Sequence, residues 1–169
     1  MEAEYIELVL NNKLIRIDKN NSMNVWSWRD DYSKTPKWVK KKLSLRVDKN
    51  TEYKSYRFGL NKKNYILSRV VYKAHNPDWD ITDSSENNQI DHININSLDN
   101  RIENLRVLTS QHNKWNTSAK GYYKCNFTNK WRAEIRVNGK CIKIGRFTEE
   151  ADARQAYLNA KEIHHKVPA

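Results

Sequence analysis

The sequence predicts an α+β protein built from small sheets and a few helices, and three observations support this prediction. Residues 1–85 contain several short segments in which apolar and polar residues alternate, as in strands with one buried face. Asn138-Gly139 separates two further alternating segments, which is a strong signal for a β-hairpin. Alanines recur at helical spacing after Glu150, so a helix is expected to back that last sheet.

The N-terminal region, residues 1–85, is predicted to be rich in strands. Asn and Asp residues supply turn chemistry between the alternating segments, which are Tyr5–Leu10, Lys13–Ile17 and Tyr53–Leu60. A short helix is expected at Leu67–His75, closed by Asn76-Pro77. Trp26 and Trp28 share strand parity and are interpreted as core or sheet-packing residues. Lys40–Lys42 beside Trp38 is either a contact to a phosphate backbone or a solvated loop.

Two further regions follow a polar linker. Residues 86–116 contain two strand-like segments, Gln89–Ile93 and Leu105–Thr109, and a helix start that Ser110 can cap. Residues 117–169 are predicted to form a three-stranded antiparallel sheet backed by one helix. Its strand candidates are Tyr122–Phe127, Trp131–Val137 and Lys140–Ile144, and its helix opens at Thr148-Glu149-Glu150.

The composition favours a polyanionic partner. The 169 residues carry a net charge of +11, and only 38% of them are hydrophobic. No apolar run approaches the roughly 20 residues that cross a membrane, and Met1–Glu4 lacks a signal-peptide layout. An intracellular protein in a bacterium or a virus-infected cell is therefore expected, without a membrane partner. Two isolated cysteines, Cys125 and Cys141, predict neither a disulfide framework nor a structural zinc site.

Charge is distributed unevenly along the chain. Residues 1–85 carry 17 basic and 11 acidic side chains, and residues 117–169 carry 11 and 5, so each region has a net charge of about +6. Residues 86–116 carry 3 basic and 4 acidic side chains and are close to neutral. We therefore expect the flanking regions to grip nucleic acid and the middle region to hold something more specific.

The middle region contains an ordered series of polar residues. It runs Asn88-Gln89-Ile90-Asp91-His92, then Asn100 to Thr109 with Asn104-Leu105-Arg106 inside it, then Gln111-His112-Asn113-Lys114-Trp115-Asn116. This series resembles the HNH endonuclease family, also called ββα-metal or His-Me finger nucleases, and in particular its phage and intron-encoded branch. The resemblance implies a central hairpin followed by a helix, with DNA hydrolysis as the activity.

The resemblance implies a role for four residues. His92 would be the general base, Asp91 and Asn113 would bind one divalent metal, and Asn104 would orient His92. These residue types suit the chemistry, because neutral imidazole accepts a proton from water near pH 7 and hard cations prefer oxygen ligands. Mg²⁺ is the expected ion, with Mn²⁺ as an alternative.

Several roles in the middle region have alternatives. Asn104 can instead brace the loop, and His112 competes with Asn113 as the last ligand. Arg106 can contact a DNA phosphate or brace the hairpin through an acid such as Asp99. Asn116 is either a phosphate contact or a helix-surface amide. Many relatives carry a His near Ser68, and its absence here puts a catalytic contribution from the preceding helix in doubt.

The C-terminal region carries a second resemblance. The segments that bear it are Trp131–Arg136, Asn138-Gly139-Lys140, Ile144–Phe147, Glu149-Glu150-Ala151 and Ala156-Tyr157. They resemble the Apetala-type, or ethylene-response-factor, DNA-binding domain, in which a sheet lies in the major groove. Period-two alternation places the charged residues of the middle strand on one face, where they can meet base edges. The expected DNA contacts are Arg132, Glu134 and Arg136, with Lys124, Lys143 and Arg146 as further donors.

The expected function is a site-favouring DNA endonuclease of the homing or mobile-element kind, acting on double-stranded DNA as a monomer or a homodimer. Two alternatives remain open. One is a sequence-specific DNA-binding regulator with a vestigial nuclease motif, and the other is an HNH restriction enzyme.

Overall fold

The computed structural model describes residues 4–31 and 34–168, with no side-chain description for residues 31 and 34. The acidic start on which the localisation was based lies outside these ranges, except for Glu4. The chain divides into two compact units, Met1–Val107 and Leu108–Ala169. The described part is strand-rich with three α-helices, which confirms the α+β class. None of these helices is long and apolar enough to cross a membrane.

The first unit begins with a four-stranded sheet in sequential order. Its strands are β1 Tyr5–Leu10, β2 Lys13–Asp18, β3 Val25–Asp31 and β4 Lys34–Lys40. A three-stranded sheet follows, made of β5 Ser44–Val47, β6 Lys54–Leu60 and β7 Lys63–Ile66. All pairs in both sheets are antiparallel. The tight turns use Asn residues with positive φ, such as Asn11 and Asn61, because Asn tolerates that conformation.

Helix α1, Leu67–His75, carries the centre of this unit's core. Its apolar side faces both sheets, and the fully buried side chains include Leu67, Val70 and Val71. Ile15, Ile17 and Val25 from the first sheet and Phe58 from the second complete the cluster. Spacing of three and four residues along the helix and two along the strands brings these side chains together.

Two short strands follow α1 after a loop. They are β8 Gln89–His92 and β9 Leu105–Leu108, which pair with each other. A 3₁₀ turn at Ile102–Asn104 leads into β9, and Leu105 packs into the core. This hairpin is therefore attached to the buried centre of the first unit, which limits the movement of the polar residues that it carries.

The second unit begins with α2, Ser110–Trp115. A three-stranded antiparallel sheet follows, of β10 Tyr122–Cys125, β11 Lys130–Val137 and β12 Lys140–Phe147, and α3, Glu150–His164, packs on one face of it. Ala133, Ile135, Ala153 and Tyr157 form its buried core. Gly121 has φ +64, and a Cβ there would overlap the Tyr157 ring, so this close approach requires glycine.

The structure corrects several local predictions. Of the two alternatives for Trp26 and Trp28, the core placement is wrong, because Val25 and Ser27 occupy the buried side of β3. The sheet-packing alternative agrees with the structure, since the two rings contact Tyr5 and Trp38 on the opposite face. Thr109 rather than Ser110 caps α2, since its hydroxyl accepts a hydrogen bond from the His112 amide. Strand β10 ends at Cys125, two residues earlier than expected.

Other local predictions agree with the structure. Helix α1 has the predicted bounds. Asn138 and Gly139 both have positive φ, at 49° and 78°, as the hairpin signal requires. The boundary between the two units falls inside the region 86–116 that the sequence analysis treated as one segment.

Candidate functional site

Asp91 and His92 are the last two residues of β8, and both are buried, at 4% and 6% exposure. The chain turns directly after them, where the Ile95 amide donates to the His92 carbonyl over 2.8 Å. Ile95 has φ +66, an uncommon conformation for a β-branched residue. Burial of a carboxylate and an imidazole side by side is costly, and such residues concentrate at functional sites.

Asp91 is held by an ion pair across the hairpin. Its Oδ2 lies 2.9 Å from Nε of Arg106 on β9, and the Arg106 side chain is 18% exposed. Arg106 therefore braces the hairpin through Asp91, whereas the sequence analysis named Asp99 as the example of an acid partner. A guanidinium fixes the orientation of the carboxylate and balances its charge in a buried setting.

His92 contacts a side-chain amide that the sequence analysis did not assign. Its Nε2 lies 3.3 Å from Oδ1 of Asn100, which is itself buried. The Asn100 Nδ2 donates to the Leu98 carbonyl, so Oδ1 is the atom that faces the ring. In the neutral ring, Nε2 then donates to Asn100 and Nδ1 carries the lone pair.

The environment of His92 favours the neutral ring. Burial lowers the pKa of His92 below its ordinary value of 6.5, and this effect exceeds the opposing influence of the Asn100 hydrogen bond and the charge of Asp91. At neutral pH the imidazole is therefore able to accept a proton, which is what a general base requires.

Asn104 is engaged with the loop between the two strands. Its Oδ1 accepts from the Asn94 amide over 2.9 Å, and its Nδ2 donates to the Asp99 carbonyl over 2.8 Å. These bonds favour the bracing alternative for Asn104. Arg101 pairs with the Asp99 carboxylate over 2.8 Å, and this contact is the main cause that holds the pKa of Asp99 at about 2. Contacts within the loop between β8 and β9 thus fix both of its ends.

The loop that leads into β8 is tied down by Arg69 of α1. Its guanidinium donates to the backbone carbonyls of Ile81, Asp83 and Asn88 and stacks 4.7 Å from the Trp79 ring. The Asn88 side chain is buried and bonds the same loop. Arg69 and Asn88 thus position β8, and the sequence analysis gave neither residue this role. The sequence signal for this role was only that the two residues lie close to the polar series of the middle region.

Helix α2 and its candidate ligand Asn113 belong to the second unit. Asn113 is half-buried, and its amide donates to the Thr109 carbonyl over 2.9 Å. The Trp115 ring lies nearly parallel to that of His165 at 4.8 Å, and the Gln111 side chain donates to Asn138. The contacts that hold α2 within this unit thus come from the hairpin turn and the end of α3.

The outer face of the C-terminal sheet carries the charged residues predicted to contact DNA. Arg132 lies opposite Arg146, and Glu134 lies opposite Lys143, so these four side chains share one face. They line a shallow cavity of about 190 Å³ together with Ala133 and Gly145. Arg136 extends the same face and is exposed.

Lys124 does not share that face. It is exposed, but its register partner is Trp131, whose ring packs with the core on the helix side. Parity therefore separates Lys124 from Arg132. Asn116 is the C-cap of α2, and its backbone amide donates to the His112 carbonyl, a placement that does not choose between its two predicted roles.

The donor chemistry of these residues is compatible with a hard divalent cation. Among the described residues, no group of three or more His, Cys, Asp or Glu side chains could hold a metal ion. A cation at Asp91 would therefore depend on this single carboxylate, amide oxygens and water. Mg²⁺ is usually bound in this way, since it keeps several waters and needs only one or two carboxylates.

Comparison with known families places one segment of the chain. Searches among curated proteins and among solved structures found no match. Residues 65–114 match a family model described as "HNH endonuclease", and this segment runs from β7 through the β8–β9 hairpin into α2. HNH nucleases act on DNA and generally use a divalent metal ion. The match does not extend to residues 117–169, and over the segment that it covers it supports a nuclease of the HNH type.

Proposed function

We propose that this protein is an HNH-type DNA endonuclease of the homing or mobile-element kind, which hydrolyses phosphodiester bonds with one divalent cation. The observation that carries the proposal is the buried Asp91–His92 pair inside the segment that matches the family model. Two buried polar residues with fixed hydrogen-bond partners are costly in a hairpin of this size. Catalysis gives a reason for that cost.

His92 is proposed as the general base. Its Nε2 faces the Asn100 amide oxygen, and its depressed pKa keeps the ring neutral, so the imidazole is suited to accept a proton from water. Asn100 acts as a positioning residue for the ring. Asn104 holds the loop that carries Asn100, so its effect on His92 is indirect in this scheme.

Asp91 and Asn113 are the proposed metal ligands. Bound there, a divalent cation would stabilise negative charge on the phosphate and on the departing 3′ oxygen. The part of Asp91 is to present a carboxylate whose orientation Arg106 fixes through the 2.9 Å ion pair. Arg106 is therefore assigned to this pairing rather than to a phosphate contact. Asn116 remains a candidate phosphate contact.

Site preference is proposed to come from the outer face of the C-terminal sheet. Arg132, Arg136, Lys143 and Arg146 there can donate to base edges and phosphates, and Glu134 can accept from cytosine. The Apetala-type resemblance supports this proposal, and so does the net charge of about +6 on residues 117–169. Lys124 lies on the other side of the sheet, so any contact that it makes with DNA would be to the phosphate backbone and not to base edges.

Relaxation of supercoiled plasmid tests the catalytic proposal. Wild-type protein should nick or cut the plasmid with Mg²⁺ and not with EDTA. His92→Ala and His92→Gln should lower the cleavage rate by about 10²–10⁴-fold while DNA binding persists, because the general base is lost and the cations proposed to contact DNA are kept. His75→Ala is the matched control, since His75 is another partly buried ring, bonded to the Val71 carbonyl.

Parallel loss of binding and cleavage in both His92 variants would show that His92 is structural. Cleavage that persists in EDTA would contradict the metal requirement. End-mapping of products from a random DNA library would then give the cut position and the site preference, which separate the homing kind of enzyme from a restriction enzyme with a short palindromic site.

A further inference from the structure

The sheet β1–β4 has one face on the core and one face turned away from it. Side chains of Ile15, Ile17 and Val25 occupy the core side. Register and strand parity place a different set on the other side, where Arg16 lies opposite Trp26, Trp26 opposite Lys40, and Trp28 opposite Trp38. We call this surface the aromatic face, and it consists of Tyr5, Arg16, Trp26, Trp28, Trp38 and Lys40.

The rings of the aromatic face form a continuous strip. Tyr5 meets Trp26 edge to face at 5.3 Å, and Trp28 meets Trp38 in the same manner at 5.4 Å. The Arg16 guanidinium joins the two pairs, since it lies 4.2 Å from the Tyr5 centroid and 4.5 Å from that of Trp38. All four rings are half-buried, so each retains surface that a ligand can cover.

No ion pair with a described acid neutralises the cations on this face. Among residues 4–30 and 35–168, whose side chains the structure describes, neither Arg16 nor Lys40 has a carboxylate oxygen within 4.0 Å. The Arg16 Nε is buried without a hydrogen-bond partner, and Lys40 sits 5.7 Å above the Trp26 ring. By strand parity, Glu7, Asp18 and Asp30 lie on the same face. The Asp18 carboxylate is engaged by the turn at Asn20–Asn24, Glu7 on β1 is exposed opposite Arg16, and Asp30 is exposed near the end of β3.

We propose that the aromatic face binds single-stranded DNA, with unpaired bases stacked on the Trp rings and phosphates held by Arg16 and Lys40. Aromatic side chains interleaved with unpaired cations are the combination that binds single strands, because every base has a π face and every linkage has a negative charge. Lys41 and Lys42, directly after β4, add positive charge at the edge.

Duplex DNA fits this face poorly. Its bases are stacked on one another and do not expose their π faces to a flat sheet, so a duplex would use only the cations. Neighbouring strands lie about 4.8 Å apart, so the strip crosses roughly 15 Å of sheet. We therefore expect a site of about four nucleotides.

The binding test uses the full-length protein in EDTA, so that it does not depend on cleavage. Fluorescein-labelled dT₂₀ should bind and quench Trp fluorescence, more tightly than a dA₂₀·dT₂₀ duplex. Trp28→Ala with Trp38→Ala should weaken dT₂₀ binding at least about tenfold and change duplex binding less than about twofold. Trp28→Phe with Trp38→Phe, which keeps flat rings, should recover most of the affinity.

The cationic part of the proposal has its own variants. Lys40→Glu, at an exposed position of the aromatic face, should weaken dT₂₀ binding by about fivefold or more. Lys19→Ala is the matched control, because Lys19 is an exposed lysine of the same sheet region that pairs with Glu4 outside the aromatic face. It should leave dT₂₀ binding within about twofold of wild type.

Three results would overturn the proposal. The first is unchanged dT₂₀ affinity in Lys40→Glu and in the double Ala variant. The second is an equal loss of single-strand and duplex binding in a variant whose thermal unfolding matches wild type, which would indicate general charge attraction. The third is an rU₂₀ affinity at least tenfold above that for dT₂₀, which would make the surface an RNA site. Absence of plasmid cleavage would bear only on the proposed endonuclease activity.

Discussion

The β8–β9 hairpin and the outer face of the C-terminal sheet both carry polar residues, but they hold them in opposite ways. In the hairpin, Asp91, His92 and Asn100 are buried and each has a fixed partner. On the sheet, Arg136 and Arg146 are exposed on a face that is open to solvent. Buried polar groups fix geometry at a cost in stability, whereas exposed charges cost little and remain adaptable.

Substitutions in the two regions should therefore affect stability and function differently. A substitution in the hairpin is expected to disturb both, because each buried group satisfies another. A substitution on the sheet face should disturb DNA binding alone, because few other side chains depend on it.

The largest effect is expected from Asp91→Ala. It removes a proposed metal ligand and leaves the mostly buried Arg106 without its carboxylate, so cleavage should fall by more than about 10³-fold and the free energy of unfolding by about 3 kcal/mol. Chemical denaturation and plasmid cleavage measure the two effects. Arg106→Ala with Asp91→Ala should recover part of the stability and none of the activity. An Asp91→Ala protein as stable as wild type would show that the ion pair does not hold the hairpin.

A smaller effect is expected on the sheet face. Arg132→Ala with Arg136→Ala should weaken binding to a preferred duplex by about 10–100-fold and relax site choice, because base-edge contacts are lost. The free energy of unfolding should change by no more than about 0.5 kcal/mol. Selection of binding sites from a random library measures the preference, with Lys124→Ala as the control from the other side of the sheet. An unchanged preference would refute the base-reading role of this face.

The smallest effect is expected in the pH dependence. Because the base must be neutral, single-turnover cleavage should rise with pH through the pKa of His92, which lies below 6.5. Asn100→Asp would put a negative charge near Nε2 and raise that pKa, so the acid limb should move to higher pH. Asn100→Ala is the uncharged control. If the acid limb of the cleavage rate against pH does not move in Asn100→Asp, Asn100 does not position His92.

The same pKa shift affects stability. The unfolded chain binds a proton on His92 more readily than the folded chain does, so the contribution of His92 is complete above about pH 6.5. It is lost as the pH falls through the folded-state pKa. Thermal unfolding between pH 7.5 and 5 is therefore expected to show a small decrease that His92→Gln abolishes.

Local patterns predicted much of the fold. Helix α1 followed from apolar spacing closed by Asn76-Pro77, and the β11–β12 hairpin followed from Asn138-Gly139. The face assignment on β11 also holds, since Ala133 and Ile135 pack on α3. Strands β3 and β4 were not predicted. Their outward face carries aromatic side chains, so the expected alternation of apolar and polar residues is hidden and the segment resembles a buried cluster.

The details of the candidate site were less accessible to sequence reasoning. The positions of Asp91 and His92 came from the motif, but the contact between His92 and Asn100 did not. Which Asn of this loop contacts His92 depends on the path of the backbone, and that path turns at Ile95, which has positive φ. Arg69 reaches three carbonyls that lie 12 to 19 residues away, and no local pattern encodes such a contact.

The stacking of Trp115 on His165 has a consequence for how this protein can be divided or recombined. A fragment that starts at residue 117 would leave out α2 and expose the ring of His165, while a fragment that ends at residue 116 would keep a six-residue helix without its support. Such short helices are not stable alone in water. Exchange of the C-terminal portion between related chains should therefore succeed when the junction lies near residue 108, so that Asn113 is inherited together with the sheet.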